Sequence, residues 1–403
     1  MNAPATPPML RPRGSNHVGM RQFNERVVLQ AIRLNGSMPK ADLARLTGLT
    51  AQTIGLITTR LEEDGLLLRH EPVRGRIGQP SVPLALNPDG AFSVGIKIGR
   101  RSADLLLVDF TGAVRRRESL RYDFPDARTL LPTIAAHLHS IHDGLGALAQ
   151  RLVGVGLAAP LNLGGWHKLL GLPQAVSDEW NATDLRTQVQ SLCDAPVSFA
   201  KDTSAACVAE LVAGRGRDLK SFLYLFVDTF VGGGLVINSH LHNGIHGNAG
   251  AVASLPLQIS SGNRIPEQLI AHASLWELEQ RLKAAGLDPS AAYDDRAMAP
   301  PFEPHTQAWV ESAARALAQC VVSGTAFLDI DAVVVDGSFA PAMLTRLIAA
   351  TQDALQTYDW EGLWPATLVA GSIGSDARAL GGALLPLHAN FAPDRDVFLK
   401  AGA

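Results

Sequence analysis

Three short helical periods followed by two strand-like runs occupy Asn24–Asn87, and few small folds accept that order. In Asn24–Leu34 the apolar residues Val27, Val28, Ala31 and Leu34 fall on one helical face. Asn35-Gly36 ends the period. Ser37 then offers a cap, and Pro39 a first turn, for a second helix that buries Leu43, Ala44 and Leu46. Gly48 supplies a tight turn, and Thr50 caps a third helix with Ile54, Ile57 and Leu61 inward. The opposite face of that helix carries Gln52, Thr53, Leu56 and Arg60, which have no core to fill. Asp64-Gly65 stops it. Leu66–Arg69 and Val82–Leu86 then pair around the tip Arg74-Gly75-Arg76-Ile77-Gly78-Gln79-Pro80. The pattern predicts a winged helix-turn-helix over residues 21–88.

A short helix with polar residues at its start fits the major groove, and a basic glycine-rich wing fits the backbone or minor groove. The expected contacts to double-stranded DNA are therefore Thr50, Gln52, Thr53, Leu56 and Arg60 on the helix, with Arg74, Arg76 and Gln79 on the wing. Gln52 and Thr53 are placed for base edges, Arg60 for phosphate. The same core spacing also serves three-helix protein-interaction domains, and a basic tip also serves as a solvated linker. Charge favours DNA: residues 1–90 hold eleven Lys+Arg against seven Asp+Glu, a surplus of four, while the remainder holds 24 against 31, a deficit of seven.

At 403 residues the chain exceeds one ordinary core. Cys193, Cys207 and Cys320 are few, scattered and odd in number, which points to a reducing cytoplasm and against a disulfide framework or a zinc site. No apolar run is long enough to span a membrane, and no signal peptide is expected. Residues 1–20 read as a flexible tail.

From Ala91 onward strands alternate with helices, which predicts an α/β body over residues 89–403. Strand-like runs are Phe92–Ile98, Ala103–Phe110, Ala113–Tyr122, Leu152–Ala158, Val197–Ala200, Phe222–Asp228, Gly234–Asn238, Ala332–Asp336 and Ala366–Ala370. Helical periods fall in Leu130–Ala149, Ser204–Ala213, Pro266–Ala285, His305–Leu328 and Pro341–Leu355. Glycine turns follow three strands, at Phe230–Gly234, Asp336–Ser338 and Gly371–Ser375. Such turns either cradle phosphate on bare N–H groups, with Gly232, Gly233 and Gly234 as weak cofactor candidates, or simply need positive φ. His240, His242 and His246 have ligand-like spacing but no accompanying acid or thiol, and read as a solvated loop.

Taken in order, ADLARLTGLTAQTIGLITTRLEEDGLL, GRIGQP, FSVGIKIGRRSADLLLVDFTGAV, FAKDTSAACVAE, VDTFVGGGLVINSHLHNGIHGNAGAV and VAGSIGSDARALGGALLPL resemble the ROK family, specifically its regulator branch with an N-terminal winged helix. The resemblance implies a two-lobed, actin-like sugar-kinase fold. Lobe one would span about 91–203 plus a C-terminal helix at about 376–390, and lobe two about 204–375. It also implies a sugar pocket in the cleft, near Asn162, Lys201, Asp202 and Ser254, and an oligomeric regulator, a homodimer or tetramer.

The departures from the family pattern matter as much. The phosphate turn after the first strand reads Lys97-Ile98-Gly99-Arg100-Arg101, with a base in place of its acid. The Asn-Asp pair appears as Lys201-Asp202, and the Glu-x-Gly-His sugar block as Ala251-Val252-Ala253-Ser254. The zinc segment falls near Ser261–Pro266 without a cysteine. Phosphoryl transfer needs base, metal and phosphate donors together. The expectation is a DNA-binding repressor of carbohydrate-related genes with a catalytically inactive body and no cofactor or metal. Its effector would be a sugar, sugar phosphate or sugar acid, with Lys201 favouring the anionic ones unless it pairs with Asp202. The rivals are a carbohydrate kinase with an appended head, and an effector-independent repressor whose body is a scaffold.

Overall fold

The computed structural model describes residues 17–72, 82–165, 167–257 and 265–393. They group into two units. One takes the described residues up to 91 together with 109–111 and 387 onward; the other takes 92–108 and 112–386.

In the first unit, α1 (His17–Asn35), α2 (Lys40–Thr47) and α3 (Ala51–Glu63) pack around Val28, Leu29, Ile32, Leu43, Ile54, Ile57 and Leu61, all buried. Strands β1 (Ser37–Pro39), β2 (Leu67–Arg69) and β3 (Pro83–Leu86) form a small antiparallel sheet in the order β1-β3-β2. Gly48 closes α2 in the left-handed region (φ 70°). Thr50 caps α3 by accepting from Thr53 N. This is the winged helix-turn-helix pattern.

Four details differ from expectation. The first helix begins at His17, so residues 17–20 belong to a helix and not to a tail. Its buried stripe runs through Val28, Leu29, Ala31 and Ile32, while Leu34, in the last turn beside Gly36, is exposed. Ser37 pairs with Ala85 in the sheet instead of capping α2, because Ser37–Pro39 extends as β1 and leaves Pro39 at the cap position. Leu46 points outward. The unit also gains residues distant in sequence. Phe110 is fully buried, with the Arg33 guanidinium 5.2 Å above its ring and Phe391 edge-on at 4.7 Å.

The second unit holds two five-stranded sheets. One runs β6-β5-β4-β7-β8, with β4 (Phe92–Ile98), β5 (Ser102–Asp109), β6 (Val114–Arg121), β7 (Leu152–Ala159) and β8 (Val197–Lys201). The other runs β11-β10-β9-β12-β13, with β9 (Phe222–Val227), β10 (Gly232–Ile237), β11 (His240–Leu241), β12 (Ala332–Gly337) and β13 (Thr367–Ala370). Numbered within each sheet, both orders are 3-2-1-4-5, and in both the fourth and fifth strands continue parallel to the first. The unit is thus a duplicated α/β fold.

The helices are α4 (Ala127–Leu145), α5 (His167–Leu170), α6 (Gln174–Ala182), α7 (Leu185–Gln190), α8 (Asp202–Ala213), α9 (Ile270–Ala273), α10 (Leu275–Ala284), α11 (Glu303–Leu328), α12 (Pro341–Leu355) and α13 (Ala377–Phe391). The period expected over Pro266–Ala285 breaks at Ser274. That residue is extended and buried; its hydroxyl oxygen accepts from Val231 N–H, and its carbonyl accepts from Trp309 Nε1. Helix α4 ends at Leu145, where Gly146 takes positive φ, short of the expected Ala149. Helix α13 passes close to both β7 and α8. A methyl carbon at Gly156 would stand 1.8 Å from Gly382 O, and one at Gly381 would stand 1.6 Å from Ala205 O. Only glycine permits these approaches.

Among the described residues no helix is long and apolar enough to cross a membrane.

Candidate functional site

The head presents α3. Its N-terminus is fixed by Thr50, whose hydroxyl oxygen accepts from Thr53 N (3.2 Å) and lies 2.8 Å from Thr53 Oγ1. With Ile54, Ile57 and Leu61 inward, the outer face shows Gln52, Leu56 and Thr59. Leu56 is 70 % exposed. Arg60 is exposed too, but its Nη1 donates to Glu25 Oε1 of α1 at 2.9 Å. Arg69 makes a two-pronged pair with Glu62, both bonds 2.7 Å. Arg74, Arg76 and Gln79 lie outside the described residues. The described part of residues 1–90 carries seven Lys+Arg and seven Asp+Glu, so the surplus of four rests on Arg11, Arg13, Arg74 and Arg76.

The body contains a cleft of about 960 Å³. Its floor is an ion-pair network that the sequence pattern did not foreshadow. Arg378, at the start of α13 and 6 % exposed, bonds Asp228 just after β9 and Ser338 Oγ (3.2 Å), with Asp202 4.0 Å away. Its guanidinium stands 5.0 Å from the Phe226 ring centroid. Lys97 at the end of β4 donates to Asp104 Oδ2 (3.0 Å) and Ser102 Oγ. Arg101 bonds Glu279 of α10 (3.1 Å), and Arg117 of β6 bonds Asp376. Arg100 lies over Phe230 (4.9 Å) and donates to Asn162 O (3.2 Å).

The charges answer to these neighbours. Burial works against an ionised Asp228, yet Arg378 and Lys97 outweigh it and hold the carboxyl below its ordinary range. Lys97 is pushed down by burial and by Arg378, against the pull of Asp104. Burial takes Arg100 down to about 10, opposed by Asp202 and Asp228.

The four residues expected around a sugar divide. Lys201 does not hydrogen-bond Asp202: its Nζ donates to Ala249 O (2.9 Å) and Asn248 Oδ1 (3.3 Å), and burial lowers it to about 8. The β8–α8 junction aims it at that loop, away from the acid beside it. Asp202 Oδ1 accepts from Thr203 N (2.8 Å), inside its own helix start. Asn162 is exposed and meets Arg100 through its carbonyl. Ser254 ends the short turn Val252–Ser254 and is exposed.

The glycine turns have internal occupants. In Gly371–Ser375, the N–H groups of Ser372 and Ile373 donate to Glu210 Oε1, and Gly374 N donates to Asp336 Oδ2 (3.0 Å). Gly337 N donates to Asp336 Oδ1 (2.8 Å). Glu210 is fully buried, and burial raises Asp336 to about 6. Gly232, Gly233 and Gly234 are residues of β10, and their missing side chains make room for Thr203, Tyr224 O and Cys207. His240, His242 and His246 are exposed around the β10–β11 hairpin, and among the described residues no His, Cys, Asp and Glu cluster forms a metal site.

Residues 93–389 match the ROK family over most of the chain. The chain belongs to the ROK family. The xylose repressor of Bacillus subtilis (strain 168) is 22 % identical over 265 residues, 66 % of this chain and 67 % of that protein. Among solved structures, a ROK family transcriptional regulator described as a homolog of the E. coli MLC protein aligns with 93 % of this chain and 97 % of its own, at 19 % identity and TM-score 0.68. A ROK family glucokinase from Streptomyces griseus, in complex with glucose and AMPPNP, aligns with 73 % of this chain and 99 % of its own, at 19 % identity and TM-score 0.58. The regulator likeness includes the head; the kinase likeness stops at about three quarters of the chain. For this ROK protein the residues missed by sequence reasoning are Arg378, Asp228, Asp104 and Glu210. The one available signal was Lys97, a charge ending an otherwise apolar strand.

Proposed function

We propose that this ROK-family chain is a sequence-specific DNA-binding transcriptional repressor of sugar-related genes, with a body that oligomerises and senses a ligand without transferring phosphate. The observation that carries the reading is the pairing of a winged head, whose α3 face is open, with a cleft whose acids are already held by the chain's own cations. Helix-turn-helix proteins lay such a helix in the major groove and, as dimers, bind paired half-sites. The relatives named xylose repressor and transcriptional regulator support the same role.

The same geometry supports a loss of kinase activity. A hydroxyl is activated only when base, metal and phosphate donors act together, and orientation alone carries about 7–11 kcal/mol of such barriers. Here Asp202 is drawn toward Arg378, Lys97 sits where an acid is needed for metal, and the turn N–H groups are engaged by Glu210 and Asp336. The test has two arms. Duplexes selected from a random pool by the full-length chain should share a palindromic site; a pool that shows no enrichment refutes the repressor reading. ATP consumption over a panel of sugars should stay at background; turnover on any sugar restores the kinase reading.

A further inference from the structure

Gly55 and Leu56 stand out on α3 for opposite reasons. Glycine in a helix interior is among the costliest choices of residue, and it is normally kept where positive φ or a close neighbour demands it. Gly55 has neither: its φ is not positive, and a Cβ built there meets nothing within 4 Å. Leu56, beside it, leaves 70 % of its surface in water although Ile54 and Ile57 on either side are buried. Among the described residues, no contact accounts for a partly open glycine position next to a largely exposed isobutyl group. The surrounding face, Ala51, Gln52 and Thr59, carries no carboxylate.

If α3 is the recognition helix, as the repressor function requires, the major groove supplies an occupant for this face. There the one apolar feature on a base edge is the C5-methyl of thymine. Gly55 lets the helix backbone approach, and the Leu56 side chain then covers the methyl. Resting on that repressor role, we propose that Gly55 and Leu56 form an apolar seat for a thymine methyl group, and that this contact, alongside the polar Gln52, sets base preference within each half-site. The site would be selected for its methyl group and not only for its hydrogen-bonding edge.

Deoxyuridine differs from thymidine by that methyl alone, so the full-length chain is titrated with its selected operator and with copies carrying deoxyuridine (uracil for thymine) at each thymine position in turn. Burial of one methyl corresponds to about a fourfold change in affinity. Wild-type protein should lose about that factor at one thymine per half-site, and Leu56→Ala should bind the thymine operator more weakly while becoming indifferent to deoxyuridine there. Gly55→Ala should fold with a melting temperature no lower than wild type yet bind the operator more weakly. A wild-type profile flat to deoxyuridine at every position overturns the proposal while leaving DNA binding intact. Unchanged operator affinity in Gly55→Ala removes the backbone approach. Failure to bind any duplex at all would sink the underlying repressor role as well.

Discussion

Replacing Arg378 by methionine tests whether the cleft floor is held by charge. The substitution keeps most of the side-chain volume and removes the guanidinium. Asp228, whose side chain is 13 % exposed, then loses its direct partner, and Asp202 loses its nearby cation. Stranding one member of a buried pair costs about 3–5 kcal/mol. Lys97 offsets part of this, since it attracts Asp228 and is relieved of repulsion from Arg378. We expect a loss of about 3 kcal/mol at pH 7, the lower end of that range. In the wild type, Asp228 is depressed below its unfolded value, so its stabilisation is full above that value and is lost as pH falls through the folded one. In Arg378→Met the folded carboxyl binds its proton more readily, so the penalty is largest at neutral pH and shrinks toward about pH 4–5. Urea unfolding of the full-length chain at pH 7 and pH 5, followed by circular dichroism, reads both effects. The double variant Arg378→Met/Asp228→Asn should be more stable than Arg378→Met alone at pH 7. A single variant within about 1 kcal/mol of wild type, or a double variant in which the two losses simply add, would refute the pairing as a stabilising element.

Lys201 is held at about 8 chiefly by burial, so between about pH 8 and 10.5 the unfolded chain binds more protons and stability rises with pH. Lys201→Met should abolish that rise, on the order of 2–3 kcal/mol, in urea titrations from pH 7.5 to 10; an unchanged slope discards the buried lysine as its source. Gly381→Ala should destabilise the body by about 3 kcal/mol or more, because the added carbon meets the backbone oxygen of Ala205, and a melting temperature equal to wild type would contradict the close packing of α13 on α8. Gln52→Ala should cost about 1–3 kcal/mol of operator binding and relax preference at one position; retained preference removes it from the readout. Glu25→Gln frees Arg60 from its ion pair, so affinity for all duplexes and the salt dependence should both increase, whereas Arg60→Ala should flatten the salt slope; no change in either slope excludes Arg60 from phosphate contact.

The head was legible because its signals are local. Gly48, the Thr50 cap and the Ile54–Ile57–Leu61 stripe act within a few residues of where they sit, and each appears where expected. Ser37 misled because capping and strand pairing compete for the same residue, and the pairing of Ser37 with Ala85 is invisible from the local run. The strands of the body were legible from apolar runs, but their duplication was not. The two sheets share a strand order without sharing side chains, since a 3-2-1-4-5 topology constrains connections and not residue identity. The cleft was the least legible part. Its central bond joins Asp228 to Arg378, 150 positions apart, and nothing near Arg378 in the chain separates it from an ordinary first-turn helix residue.

The way these charges are settled bears on the role of the body. A kinase cleft leaves acids for metal and N–H donors for phosphate, so its bare state carries unmet electrostatic demands that a substrate complex relieves. Among the described residues of this chain, four of the cleft's acids and turns have partners of their own. Asp228 takes Arg378, Asp104 takes Lys97, Glu279 takes Arg101, and the turn at Gly371–Ser375 takes Glu210 and Asp336. Two of these bonds tie one sheet's elements to the other's: Arg101 follows β4 and Glu279 lies on α10; Arg378 opens α13 and Asp228 follows β9. An arriving ligand must therefore exchange partners with groups already bonded, and it gains only the difference. A switch needs only a small difference, since coupling between sites typically amounts to about 1–3 kcal/mol. A cleft balanced without its ligand suits a protein whose unliganded form has a task of its own, and holding an operator is such a task.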